Sequence, residues 1–478
     1  MPVCNPPLRQ RERPAVEGLE EGQPLTVKDQ SLDLTKGSLW QNIWQLSWPM
    51  FLMMIFNFFV GFTDVYVAGF IGPEVQAAVG FVGILYFLVI IIANAISIGT
   101  LALVSRSIGA GDFRNAVEVG RQSLIFSVII AVILTGSGLL FYREIVLLAG
   151  IPAEIRQIAE TFLCIFSAAL GANYILIISN ALFRASGDVK SPLITMSVVS
   201  ALNILGDFAL VFGCGPIPEM GYAGIALATA VSVTVGTMMN LLFFSLSRWK
   251  EIYHDSWKPS VETIRRIAAL GWPAAMHQIA WNAGSLIIYN ILGRLGEESI
   301  TALAAIANGL RIEAVIFLPA FTLHMAASVL IGQNLGAGNP DRAEKVGWHI
   351  AAGGAGVVSA MAVAVFLGAE FLSSLLARDA AVIAETTRYL RISMVSEPFL
   401  AVSFSLSGGL QGAGDTRGTM WVIIVAMWLV RLPLAWFLSA ILGFGALGVW
   451  VAMTASVIFQ GLLMARRFHQ GKWKGIKV

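Results

Sequence analysis

Apolar residues run along this chain in blocks rather than in alternation, and each block ends in a short polar or glycine-bearing stretch. The blocks cover 43–70, 79–104, 122–141, 162–183, 193–212, 221–245, 268–292, 302–330, 350–372, 389–410, 419–441 and 444–465. A helix needs about 20 apolar residues to cross a bilayer, and each block is about that long. The pattern predicts an all-α polytopic membrane protein of about twelve transmembrane helices. Composition agrees: 57% of residues are hydrophobic and 13% are charged, against about 25% charged in soluble chains. In the first block, "WPMFLMMIFNFFVGFTDVYVAGFIG", a carboxylate interrupts the run at Asp64. A charge at that depth costs roughly 2.5–3.5 kcal/mol on insertion scales, so it is normally there for a function.

Charge sets the orientation. Of the 31 lysines and arginines, 23 lie in the N-terminal tail, the C-terminal tail and the loops that share their side, and five lie on the other side. By the positive-inside rule both termini are expected in the cytoplasm. The first 40 residues are polar and rich in Pro, Gly and charge, without the apolar core of a signal peptide, and read as a disordered cytoplasmic tail. A net charge of +2 gives no sign of a nucleic-acid partner. The three cysteines, Cys4, Cys164 and Cys214, are far apart, which excludes a disulfide framework and a cysteine zinc site.

The chain also repeats. "LSWP" (46–49) answers "LGWP" (270–273), and "SIGAGDFRNA" (107–116) answers "NLGAGNPDRA" (334–343). "ASGDVKSP" (185–192) answers "GAGDTRGT" (412–419), and "GYAGIALATA" (221–230) answers "GALGVWVAMTA" (445–455), at separations of 224 to 227 residues. This divides the chain into a first lobe over 41–245, a basic cytoplasmic linker over 246–266, a second lobe over 267–466 and a basic cytoplasmic tail over 467–478. Six spans per lobe give both lobes one orientation, so the pseudo-twofold axis should lie along the membrane normal, as in parallel-repeat transporters.

The residues of these landmarks resemble the MATE family (multidrug and toxic compound extrusion). The likeness rests on "DVYVAGFIG" in the first span, the twin "GAG" loops, "FRASGD" (183–188), "LQGAGDT" (410–416) and "WLVRLPLA" (428–435), and it extends from about residue 40 to about 466. It implies two six-helix lobes about a central cavity, alternating access, and efflux of amphipathic, often cationic organic compounds in exchange for H+ or Na+. It implies no enzymatic activity and no organic cofactor. The partners implied are small-molecule drugs, the coupling ion and the lipid bilayer, with a monomer in the bacterial plasma (inner) membrane. "NILGD" (203–207) is similar to the N-x-x-x-D element of the prokaryotic cation site, so Asp64, Asn203, Asp207 and Thr229 are carried over as coupling-ion residues, a possible Na+ site among them. These features resemble the DinF-like branch. The seventh span, "WPAAMHQIAWNAGSLIIYNILG", has no carboxylate, so the second-lobe sodium site described for the other bacterial branch is not implied.

Depth supports the same residues independently. Asp64 lies eight residues before Gly72, Asp207 six before Gly213, and Thr229 eight after Gly221. At 1.5 Å per residue all three sit roughly 9–12 Å below the outer ends of their helices. Asn203 and Asp207, at i and i+4, share a face. Two carboxylates in a low-dielectric site cannot easily both ionise, which suits a proton carrier; the same oxygens suit sodium. The alternative is that the acids pair with basic residues to hold helices together, but the first lobe's spans hold only Arg106, Arg121 and Arg184, all near inner ends.

In the second lobe, Glu397 and Arg431 read either as a buried ion pair or as a second cation or substrate site. Glu313 and Arg311, at i and i+2, point apart. His277 and His324 are candidate pH-sensitive groups or hydrogen-bonded core residues. Met50, Met53, Met54, Phe56, Phe58 and Phe59 are candidates for a permissive drug cavity or for packing. The "GAG" loops lack the spacing and lysine of a phosphate-binding loop and read as turns. The competing reading is a flippase for lipid-linked precursors, which would line its cavity with several cations; these spans hold mainly Arg311 and Arg431.

Overall fold

The computed structural model describes residues 33–476 except residue 255. The first lobe contains α1 (Leu39–Ile71), α2 (Pro73–Gly109), α3 (Phe113–Leu148), α4 (Ala153–Ala185), α5 (Lys190–Phe212) and α6 (Tyr222–Leu246). A short 3-10 turn, Arg248–Tyr253, leads to the second lobe. There follow α7 (Val261–Gly293), α8 (Ser299–Gly336), α9 (Pro340–Leu367), the short α10 (Ala369–Leu376), α11 (Ala380–Ser393) and α12 (Glu397–Gly412). The eleventh span contains α13 (Thr416–Ile424) and α14 (Leu432–Trp436), each followed by a π-helical stretch, and α15 (Gly445–His469) closes the chain. Among the described residues, ten spans are both long and apolar enough to cross a membrane. The seventh and tenth positions are filled by α7, diluted by His277, Gln278 and Asn282, and by the broken pair α11–α12.

The helices are longer than their apolar blocks. The block at 79–104 becomes α2 over Pro73–Gly109, and that at 122–141 becomes α3 over Phe113–Leu148. Hydropathy marks only the part of a helix in lipid, whereas caps decide where it stops. Asp112 begins α3 by accepting the backbone N–H of Asn115 at 3.0 Å. The twin loops are turns: Gly111 and Gly338 both take φ of +75°, in the left-handed region that a side chain disfavours. Equal backbone conformations at equivalent places are the repeat expressed in three dimensions. The expected tail over 1–40 falls outside the described residues up to residue 32, and its last part is held. Leu34 is buried, its carbonyl accepts from Asn334 Nδ2 at 3.3 Å, and Arg342 Nη2 donates to the carbonyls of Lys36 and Gly37.

The lobes are pinned together at the end where the described chain begins and finishes, with Leu34 on Asn334 and Ile476 on Arg106. There α2 packs on α7 and α8 at distances only glycine permits. A Cβ on Gly99 would strike the Ile267 carbonyl, and one on Gly271 the Ala95 carbonyl. Gly109 lies on the Gln333 carbonyl and Gly336 on that of Arg106, a near-symmetric crossing of two equivalent helices. Gln333 Nε2 reaches from α8 to the Ala185 carbonyl at 2.8 Å. Such small-residue seams are how helices associate where lipid removes the hydrophobic drive. Met50 and Met53 pack into the core at this end rather than lining a cavity, while Phe58 and Phe59 are exposed.

Gly109→Ala should therefore lower the thermal stability of the purified protein, by the roughly 1–3 kcal/mol typical of overpacking. Gly136→Ala, where a Cβ meets nothing within 4 Å, is the control and should be neutral or stabilising. Equal melting temperatures for the two variants would show that the seam tolerates a wider spacing.

Candidate functional site

The first-lobe residues singled out by depth meet in space. Asn203 Nδ2 donates to Asp64 Oδ1 at 3.3 Å and to Thr229 Oγ1 at 3.0 Å, and the Thr229 hydroxyl lies 3.3 Å from Asp64 Oδ2. Helix packing makes this possible. A Cβ on Gly206, beside Asp207, would come within 3.1 Å of the Ala228 methyl, beside Thr229. Farther along the same pair, Gly224 lies on the Leu210 carbonyl and Gly236 on Val199, so α5 and α6 lie almost backbone to backbone. α1 then packs against α5 and delivers Asp64.

The cluster has an inner and an outer part. Asn203 and Asp207 are fully buried, whereas Asp64 and Thr229 are half-buried and form the approach. Neither carboxylate oxygen of Asp207 receives a hydrogen bond, nor does Asn203 Oδ1 have a donor. The neighbour of the Asp207 carboxyl is the Asp64 carboxyl. Among the described residues no basic side chain pairs with either acid. Arg106 instead caps the Ile476 carbonyl, and Arg121 pairs with Glu118. Buried acceptors without donors are rare in folded proteins and call for a proton or a cation. The donor set is all oxygen, from two carboxylates, an amide and a hydroxyl, which is the chemistry a hard cation prefers.

The second-lobe candidates gather around a cavity of about 220 Å³ lined by Glu313, Glu397, Arg431, Tyr389 and Trp281. Glu313 and Glu397 come together here, yet Arg431 makes no ion pair with either among the described residues. Arg431 Nε donates to Ser456 Oγ at 2.7 Å, and its guanidinium lies 4.7 Å over the Trp281 ring. Tyr389 OH donates to Glu313 Oε2 at 3.0 Å; a Cβ on Gly309 would occupy the space of that Tyr389 ring. His324 Nδ1 lies 3.0 Å from the Phe404 carbonyl and 3.1 Å from Ser407 Oγ, as a hydrogen-bonded core histidine does. His277 is half-buried on α7 near it, apart from the acidic cavity.

Sequence reasoning missed two backbone devices that shape this cavity. The tenth span does not run unbroken: it stops at Ser393 and restarts at Glu397, which places Glu397 in the first turn of α12. At the break the Ile392 carbonyl accepts from the Val395 N–H at 3.4 Å and from Thr454 Oγ1 at 3.2 Å, and Ser396 Oγ donates to the Ser393 carbonyl at 2.8 Å. The signal was present in "SEP" (396–398), a helix-start pattern with proline just inside. The second device is the π-helical stretch Val425–Arg431, ending two residues before Pro433, whose missing N–H disrupts regular pairing. Tyr389, Ser456 and Trp281 carried no local signal, because each matters only through its neighbour.

Two helical lobes in parallel repeat, each enclosing polar groups within its spans, define a polytopic membrane transporter rather than an enzyme. The chain belongs to the MatE family, whose pattern matches residues 49–209 and 273–437, one stretch in each lobe. It is 28% identical over 431 residues to the probable multidrug resistance protein NorM of Thermotoga maritima, covering 88% of this chain and 90% of that one. To the probable multidrug resistance protein NorM of Bradyrhizobium diazoefficiens it is 26% identical over 438 residues, 88% of this chain and 91% of that one. Among solved structures, a MOP superfamily transporter from Pyrococcus furiosus matches with a TM-score of 0.83 at 21% identity, over 93% of this chain and all (100%) of that one. A multidrug resistance MATE family transporter solved in an outward-facing conformation matches equally well, with a TM-score of 0.83 at 22% identity over 93% and 100% of the two chains. These likenesses establish the two-lobed, twelve-span fold.

The second-lobe geometry yields one expectation. Tyr389→Phe removes a donor to a buried carboxylate and should destabilise the protein by about 1.5–3 kcal/mol, the worth of a hydrogen bond to a charged group. Thermal unfolding in detergent measures this; an unchanged midpoint would mean that Glu313 does not depend on the tyrosine.

Proposed function

We propose that the protein exports amphipathic, often cationic organic compounds from the cell by alternating access, in exchange for H+ or Na+ taken up at Asp64, Asn203, Asp207 and Thr229. The observation that carries this reading is the pair of carboxylates from α1 and α5: among the described residues no basic side chain pairs with either, Asp64 accepts only from Asn203 and Thr229, and the buried Asp207 accepts from no donor. The names of the relatives, probable multidrug resistance proteins, support the substrate class. The lysine and arginine distribution supports cytoplasmic termini, and the bacterial relatives support an inner-membrane location. On that orientation the glycine seam closes the cytoplasmic end, and the first-lobe cluster lies toward the outside.

The mechanism follows from the electrostatics of the cluster. Without the ion, two carboxylates repel one another across the α1–α5 contact and present negative charge toward the half-buried approach. An organic cation in the cavity is held by that field. When a proton or sodium ion settles among the oxygens, the charge of the pair falls from two negatives to one, the repulsion is relieved, and α1, α5 and α6 can close on one another. The drug loses part of its counter-charge and its room, and leaves. Linkage makes the effect reciprocal: what the ion does to drug affinity, the drug does to ion affinity.

Asp207→Asn should leave folding and membrane insertion intact and abolish gradient-driven efflux. Dye uptake into inside-out vesicles, under a pH gradient and under a sodium gradient in turn, measures this and identifies the ion. Wild-type transport by Asp207→Asn at normal expression would overturn the assignment.

The second expectation concerns Asp64. A coupling of about 1–3 kcal/mol changes drug affinity roughly 5–150-fold when the ion is supplied. Asp64→Asn should remove that dependence in binding measured in detergent. A mutant whose affinity still follows pH or sodium as the wild type does would exclude Asp64 from coupling.

A further inference from the structure

The second-lobe cavity has polar groups that the ion-exchange reading leaves unused. Of its charged side chains, Arg431 and Glu313 are each held by a partner of their own. Arg431 is drawn to one wall by Ser456 and by the Trp281 ring, so that Nε is bonded while Nη1 and Nη2 make no hydrogen bond among the described residues. Glu313 is held by Tyr389 OH through Oε2, leaving Oε1 buried without a donor. Glu397 is 4% exposed, and its Oε2 is also without a donor. A purely structural ion pair would close the gap, because attraction between opposite charges grows as the medium becomes less polar. Here the gap is kept open, and it encloses about 220 Å³. At roughly 30 Å³ per water, that is room for about seven waters or for one molecule of amino-acid size.

We infer that this cavity is a second ligand site, for a small zwitterionic amine whose carboxylate is taken by Arg431 and whose ammonium is taken by Glu397 and Glu313. The inference rests on the reading of the protein as a transporter of organic compounds and names a substrate class for its second lobe. A simple cation would satisfy the glutamates but face the guanidinium, and a simple anion would meet two carboxylates. A molecule with both charges answers each wall with its opposite. The apolar part of such a ligand meets Trp281, Tyr289, Phe317 and Met453 along the same cavity. The guanidinium is suited to the task because its planar fork can grip a carboxylate through two parallel bonds.

The test is calorimetric titration of the protein in lipid nanodiscs with leucine and with 4-(aminomethyl)benzoic acid, zwitterions with different charge separations. The methyl ester of each lacks the carboxylate, and the N-acetyl form lacks the ammonium. At least one zwitterion should bind, and both its modified forms should bind roughly 10- to 100-fold more weakly, as expected for loss of a charge-assisted hydrogen bond. Arg431→Gln should weaken the zwitterion while leaving the ester unchanged, and Glu397→Gln should weaken the zwitterion while leaving the N-acetyl form unchanged. Because the comparison of acid with ester uses only the wild-type protein, it decides even if a variant fails to fold. Failure of both zwitterions to bind, equal binding of acid and ester, or a variant that weakens all forms alike would overturn the inference. The last result would mark a water-filled structural cavity. Dye efflux by the same wild-type preparation reports on the proposed function separately, so either reading can fail while the other stands.

Discussion

The structure depends on one electrostatic constraint: two aspartates from different helices lie side by side, and among the described residues no basic side chain neutralises them. Removing a carboxylate from water costs several kcal/mol unless it is paired and hydrogen-bonded. Asp64 has Asn203 and Thr229 beside it, but Asp207 has only its fellow acid. The bundle therefore carries a deficit that a mobile cation can fill, and a transporter can use such a deficit because it can be made and relieved in turn. Two basic residues of the first lobe's spans have tasks of their own, Arg106 at the Ile476 carbonyl and Arg121 at Glu118.

Close packing makes that arrangement hold. In lipid the apolar side chains gain little by facing one another, so helices are joined where small residues let their backbones touch. Between α5 and α6, where the oxygens of Asp64, Asn203, Asp207 and Thr229 converge, Gly224 meets the Leu210 backbone and Gly206 and Gly236 admit the side chains of Ala228 and Val199. Gly99, Gly109, Gly271 and Gly336 let backbones touch between the lobes, at the end of the bundle where the described chain begins and finishes. The contact between the lobes is made almost wholly of backbone. A seam made of backbone can part and re-form as two rigid bodies, which is what an alternating mechanism requires.

The lobes share a backbone plan but not a chemistry. In the first, regular helices bring acids and amides together at one depth. In the second, the tenth span is interrupted before Glu397 and the eleventh contains a π-helical stretch that ends at Arg431. Irregular backbone within a membrane is tolerated where it is buried in protein or lines a cavity. Both irregularities border the same cavity, and at the first the Ile392 carbonyl takes a further donor from Thr454. Duplication supplied two copies of one scaffold, and local breaks turned the second copy to a different use.

The sequence alone determined the class and most of the plan. Block length fixed the twelve spans, because bilayer thickness sets how much apolar chain a crossing needs. The repeated glycine loops fixed the two lobes, because a left-handed turn leaves its mark as glycine at Gly111 and again at Gly338. Depth counting placed Asp64, Asp207 and Thr229 together, because helical rise converts residue number into distance, and Asn203 joined them through its shared face with Asp207. Tertiary structure decided what lies beside each charge. Glu397 and Arg431 read from the sequence as possible partners, yet Arg431 turned to Ser456 and Trp281, and Glu313 to Tyr389. Those neighbours come from α7, α11 and α15, more than 20 residues away along the chain in every case. No periodicity along one helix carries such information, because a side chain's partner across a bundle is chosen by how the helices pack.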